Sequence, residues 1–303
     1  MYRISFLILS VFLLGNTVSA MSDTALIRKY LMELTGGKSR NHQEVARLEE
    51  TASFIKTVFL SFSDSVTYQT FEVDGKTYKN VICSFGTEHA SRIVVGAHYD
   101  VCESQPGADD NASGIAGLLE LGRMLKNQML KNRIDLVAYC LEEPPYFRTT
   151  HMGSYIDARS LSDAKIHVKG MIALEMIGYF SDEKGSQTYP VGLLSLLYGS
   201  KGNYISLVKK FGAGKFSRSF CRRFRSAKTI KARKISAPAC IAGVDFSDHL
   251  NYWKFGYSAL LITDTAFYRN NNYHQKSDTL ETLDLFRLGK VIDGLFSALI
   301  QMK

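Results

Sequence analysis

The chain has 303 residues, of which 46% are hydrophobic, and a formal net charge of +8. That apolar content fits one large α/β domain or two smaller ones and excludes a disordered polypeptide. Five cysteines (Cys83, Cys102, Cys140, Cys221 and Cys240) without CxxC spacing exclude a disulfide framework and a thiolate zinc site, leaving one disulfide open.

The basic excess is local. Eleven Lys or Arg and no acid lie between Lys209 and Lys234; without these and Arg3, 25 bases face 29 acids. Phe211, Phe216, Phe220 and Phe224 interleave the run, a pattern also met on nucleic-acid-binding surfaces. The reading adopted is a solvated, partly amphipathic insertion at 209–234, with no nucleic-acid partner.

In chain order, Arg3, the apolar core from Ile4 to Leu14 and Val18-Ser19-Ala20 form a secretory signal over 1–20. The core is too short to cross a bilayer, so no membrane span is expected after signal removal. The mature chain, 21–303, is then exported as a single domain, periplasmic or secreted, and Met21 in place of a cysteine argues against a lipoprotein. Helices are expected over Ala25 to Leu34 and Val45 to Phe62. Val66 to Val73 and Thr77 to Ser84 flank Asp74-Gly75, a hairpin turn. Ile93 to Ala97 is a buried-type strand, followed by a helix from Ser113 to Leu125. Ile134 to Cys140 and Met171 to Leu174 read as strands, and Met152 to Ala158 and Tyr204 to Phe211 as helices. Ser258 to Thr263 is a strand and Leu285 to Ile300 an amphipathic helix. The alternation predicts a mainly parallel sheet covered by helices on both faces.

The polar residues fall just beyond strand C-terminal ends, where open α/β sheets bind ligands. His98 ends one strand; alone, it reads as readily as a core histidine. Asp100 points the same way two residues on and is placed to orient that imidazole. Asp109 and Asp110 precede Asn111-Ala-Ser-Gly114 and could simply cap the helix. Glu142 and Glu143 are adjacent after a buried strand and would repel each other without a cation or a proton. Glu175 ends another apolar strand, and His274 lies in a polar loop with Asp278 as a possible partner. Two histidines and at least three carboxylates exceed what one zinc requires and fit a pair of ions.

These residues resemble the co-catalytic two-zinc exopeptidases that include bacterial leucyl aminopeptidase, aminopeptidase Y and glutamate carboxypeptidase. The matching motifs are Gly96-Ala-His98-Tyr-Asp100, Gly107-Ala-Asp-Asp110-Asn-Ala-Ser-Gly114, Glu142-Glu143, Leu174-Glu175-Met-Ile-Gly178, Ser247-Asp248-His249 and Tyr273-His274. The resemblance implies a three-layer αβα fold with Asp110 bridging two Zn2+, His98 and Glu175 completing one ion's ligands and Glu143 and His274 the other's. It further implies Glu142 as general base, Asp100 as the group orienting His98, and a cis peptide at Asp110-Asn111. Asp109 is left to support the turn and His249 to a structural place. Many aminopeptidases of the family have Asp where this chain has Glu175. The function implied is a metallo-aminopeptidase acting on peptides with a free amino terminus. Alternatives on the same scaffold are a single-zinc glutaminyl-peptide cyclotransferase, activity on acidic dipeptides, or a non-catalytic peptide-binding protein.

Overall fold

The computed structural model describes residues 21–63 and 65–303, so the signal expected over 1–20 lies outside the described residues. Alternate side chains of the central strands are buried on opposite sides. Ile93, Val95 and Ala97 join one core and Val94 the other; Ile134, Leu136 and Ala138 join the first, Val137 and Tyr139 the second. A strand that is apolar on both faces must be covered on both, which is why these runs lack a polar alternation.

The elements in order are α1 (Thr24–Thr35), α2 (Val45–Leu60), β1 (Val66–Val73), β2 (Lys76–Phe85), β3 (Arg92–His98), α3 (Gly114–Leu125), β4 (Arg133–Tyr139), α4 (Gly153–Asp163), β5 (Val168–Glu175), α5 (Leu194–Tyr198), β6 (Ile205–Lys210), α6 (Gly214–Ala227), β7 (Ala232–Ala237), α7 (His249–Lys254), β8 (Ala259–Thr263) and α8 (Leu285–Ile300). They build one eight-stranded sheet in the order β1-β2-β4-β3-β5-β8-β6-β7. The four central strands β4, β3, β5 and β8 run parallel. β1 and β2 form the expected hairpin, and β2 joins β4 antiparallel. Helices α1, α3, α6 and α8 pack together on one side, α4 and α7 on the other.

One expectation is corrected. Residues 204–211 are not a helix: β6 occupies 205–210, parallel to β7 and antiparallel to β8. Apolar residues at 204, 205, 207, 208 and 211 mimic helical spacing, but a short run buried on both faces carries no usable period. The basic segment 209–234 supplies the end of β6, all of α6 and half of β7. Phe216, Phe220 and Phe224 follow at i, i+4 and i+8 and are 7%, 0% and 1% exposed, so the aromatic stripe is core. Lys and Arg take the outer face of the same helix. All five cysteines are free, so no disulfide exists among the described residues.

Candidate metal centre

Because β4, β3 and β5 are parallel neighbours, their C-terminal ends deliver Glu142-Glu143, His98 and Glu175 to one edge of the sheet. His98 and Glu175 are the last residues of their strands. The chain then leaves β3 through residues 99–107 to reach Asp110. Arg40, only 1% exposed, fastens that loop: its guanidinium donates to the carbonyls of Tyr99 (2.9 Å), Pro106 (3.0 Å) and Gly107 (3.1 Å), and to that of Leu34 at the end of α1. Gly107 has φ +60°, and a Cβ there would lie 2.3 Å from the Asp110 carbonyl, so the turn needs glycine.

The Asp110-Asn111 peptide is cis. Its two flanks are held separately. The Asp278 carboxylate accepts from the Asp109 and Asp110 amides at 2.9 and 3.0 Å. The Asn111 amide donates to the Leu174 carbonyl at 2.8 Å and its oxygen accepts from Gly114 and Met176. Asp109 accepts from the Gly178 amide and Asn270 at 2.9 and 2.8 Å, which ties the turn to the segment after β5. Asp278 thus fixes the Asp110 backbone rather than His274, the partner anticipated for it.

All seven residues named from the sequence converge. His98 Nε2 lies 3.1 Å from Glu175 Oε2, 3.5 Å from Asp110 Oδ1 and 3.9 Å from Glu142 Oε2. His274 Nε2 lies 3.3 Å from Asp110 Oδ2 and 3.2 Å from Glu143 Oε2. The two oxygens of Asp110 therefore face two different imidazoles. His98 Nδ1 lies 3.1 Å from the Asp100 carbonyl; a carbonyl only accepts, so Nδ1 carries a proton and Nε2 is the nitrogen turned to the carboxylates. The Asp100 carboxylate has a further part that the sequence did not suggest: it accepts from the Glu142 and Glu143 amides at 3.1 and 3.0 Å and sets their backbone. Ser247 donates to Glu175 Oε2 at 2.8 Å.

Burial dominates the electrostatics. It raises Glu142 well above the ordinary carboxyl range and Glu143 to about 8, the latter with the Asp110 charge adding to it. Glu175 is raised for the same reason. Burial would lower both imidazoles, but Glu175 and Glu142 hold His98 well above its usual value, and Asp110 and Glu143 hold His274 at about 10. Acids and imidazoles packed this closely either share protons or share a cation. Asp110 Oδ2, Glu143 Oε1 and His274 Nε2 are buried without a hydrogen-bond partner, which fits atoms whose partner is a cation. His98, Asp110 and Glu175 form one group of metal-compatible donors and His98, Glu142 and Glu143 another.

His249 stands apart. It is 0% exposed, its Nε2 lies 2.8 Å from the Val244 carbonyl, and its ring meets Trp253 edge-on at 4.5 Å. Burial lowers it to about 4, as suits a neutral structural imidazole. Its neighbour Asp248, in the middle of the matched motif Ser247-Asp248-His249 but given no role there, is 0% exposed with both oxygens unpartnered, and burial raises it to about 7.

The model of Peptidase family M28 matches residues 80–299. The chain belongs to peptidase family M28, whose members are zinc-dependent hydrolases. It is 42% identical to the protein YfbL of Escherichia coli strain K12 over 87% of this chain and 83% of that one. It is 28% identical to leucine aminopeptidase 2 of Trichophyton rubrum over 82% of this chain, which spans 50% of that relative's length. Among solved structures, LapB from Legionella pneumophila superposes with a TM-score of 0.71 at 23% identity, covering 92% of this chain and 73% of that one. A glutaminyl cyclase of Bacteroides thetaiotaomicron superposes at 0.70 and 18% identity, covering 94% and 100%. These two likenesses establish the shared fold.

Proposed function

We propose that this M28 peptidase is an exported aminopeptidase with two zinc ions, one held by His98, Asp110 and Glu175 and the other by Asp110, Glu143 and His274. The observation that carries the reading is Asp110, with one oxygen 3.5 Å from His98 Nε2 and the other 3.3 Å from His274 Nε2. Bound there, the ions would polarise the scissile carbonyl and acidify the attacking water. Glu142 takes that water's proton at its carboxylate and passes it to the departing amine. Burial raises its carboxyl above the ordinary range, which strengthens it as the base that takes the water's proton. Asp100 positions two partners at once, His98 through its carbonyl and Glu142 through its carboxylate.

An apolar cavity of about 100 Å³ opens beside Glu175 and shares Phe246, Ala266 and Phe267 with the acidic cluster. Val208, Leu261, Ile235 and Tyr198 line it and no Lys or Arg does, so it supports an apolar amino-terminal side chain and not an acidic one.

The Glu142→Gln variant is expected to keep its zinc and lose about 10²- to 10⁴-fold in kcat. The measurement pairs zinc content with turnover on leucyl, phenylalanyl, glutamyl and lysyl anilides, an acetylated peptide and a glutaminyl peptide. Leucyl and phenylalanyl substrates should lead. Cleavage restricted to the acetylated peptide, or ammonia release from the glutaminyl one, would sink the aminopeptidase reading. Wild-type turnover by Glu142→Gln would remove that residue from the base role.

A further inference from the structure

Cys102 has no part in the assignments above. It sits in the loop that Arg40 fastens, half-buried and free, and its Sγ lies within 4.8 Å of ligand atoms from both Glu143 and His274. The absence of CxxC spacing excludes a site made of paired thiolates, but it does not bear on one thiol that the fold brings to an oxygen and nitrogen cluster. A second observation points to the same place. Glu143 is 5% exposed, and its Oε1, like Asp110 Oδ2 and His274 Nε2, is buried with no hydrogen-bond partner. A thiol is a weak donor that would satisfy such atoms poorly, whereas a cation lying among them would satisfy all of them together.

We propose that Cys102 is a fourth protein ligand of the ion held by Asp110, Glu143 and His274. This rests on the two-metal reading given above. On coordination the S–H bond breaks, its proton leaves to solvent, and a sulfur electron pair forms the bond to the ion; nothing is oxidised or reduced. The two ions then differ in kind. The one at His98 and Glu175 has only imidazole and carboxylate donors, while the one at His274 gains a soft thiolate that favours zinc, cobalt or cadmium over magnesium or manganese.

Sulfur ligation has a spectroscopic signature independent of activity. The purified chain, stripped by a chelator and reloaded with Co2+, is titrated while cobalt content and near-ultraviolet absorption are followed. Wild type and the surface control Cys240→Ser should both develop a thiolate-to-cobalt charge-transfer band. Cys102→Ser and Cys102→Ala should lack the band and bind one of the two ions about 10- to 100-fold more weakly, at least the loss that follows removal of a group merely supporting a ligand. Cys102→His restores a donor, so it should recover tight binding without the band, which separates ligand loss from misfolding. Cobalt-loaded wild type without the band, or a band that survives in Cys102→Ser, overturns the proposal. A single bound ion that carries the band upholds the thiolate and overturns the two-metal reading instead.

Discussion

His98 and Glu175 close the adjacent strands β3 and β5 and are 1% and 7% exposed, whereas His274 lies on the loop after β8 with its side chain 26% exposed. His274 is also in left-handed backbone, φ 56°, and its ring stacks on Tyr273 at 3.8 Å. The inner half of the cluster is thus positioned by the hydrogen-bond ladder of the sheet and by packing. The outer half is positioned by tethers within loops. Strand-end groups are placed as a by-product of folding the core, while a non-glycine residue at positive φ costs energy that its surroundings must offset. The inner half should therefore answer to fold stability, and the outer half to ligands and local contacts.

Arg40 tests where the halves meet, because it fastens the loop that leads from His98 to the shared Asp110. Arg40→Ala leaves up to four buried carbonyls without their donor and should cost about 4 kcal/mol in urea unfolding. A loss below about 1 kcal/mol would show that the loop holds itself and that the inner half extends no further than the strands.

His249 probes the inner side through pH. The folded imidazole is lowered to about 4 by burial, while the unfolded chain takes up a proton near its ordinary value of about 6.5. This contribution to stability is full above about pH 6.5 and is lost progressively down to about pH 4, amounting to roughly 3 kcal/mol. Denaturation curves across that window should show the slope in wild type and a flatter profile in His249→Gln. Parallel profiles would mean that His249 is not the group being titrated.

The smallest expected effect separates the halves directly. With metal removed, His98→Ala should destabilise the fold by about 2 kcal/mol, through a cavity and an unpaired Asp100 carbonyl. His274→Ala should cost less, about 0.5 to 1 kcal/mol, because its half-buried side chain lies on a loop outside the core. Equal losses in the two chelated variants would erase the distinction between a sheet-held and a loop-held half.

The same division governs what could be read in advance. His98, Glu142, Glu143 and Glu175 were legible because a buried parallel strand announces itself by a continuous apolar run, and its end marks the sheet edge. The acid pair at 109–110 and His274 were legible through motif resemblance, since nothing local fixes a loop's course. What escaped has no short-range sign. Arg40 lies in an unremarkable polar stretch, and its partners are 59 or more positions away, except for Leu34. Asp278 was assigned the wrong neighbour because loop geometry, not spacing, chooses which amide a carboxylate meets. β7, Ala232–Ala237, was missed because an edge strand rich in charge hides its period. The neighbouring β6 was read as a helix because its apolar residues serve two cores at once.

The grip of Asp278 on the Asp109 and Asp110 amides spans 169 and 168 positions. Contacts of such separation form late, because the intervening chain must first be ordered. A polypeptide that has emerged only as far as β8 has the strand ends and the acid pair, but neither the clamp on Asp110 nor His274. The cluster of acids and imidazoles is then completed only by chain that follows the core strands.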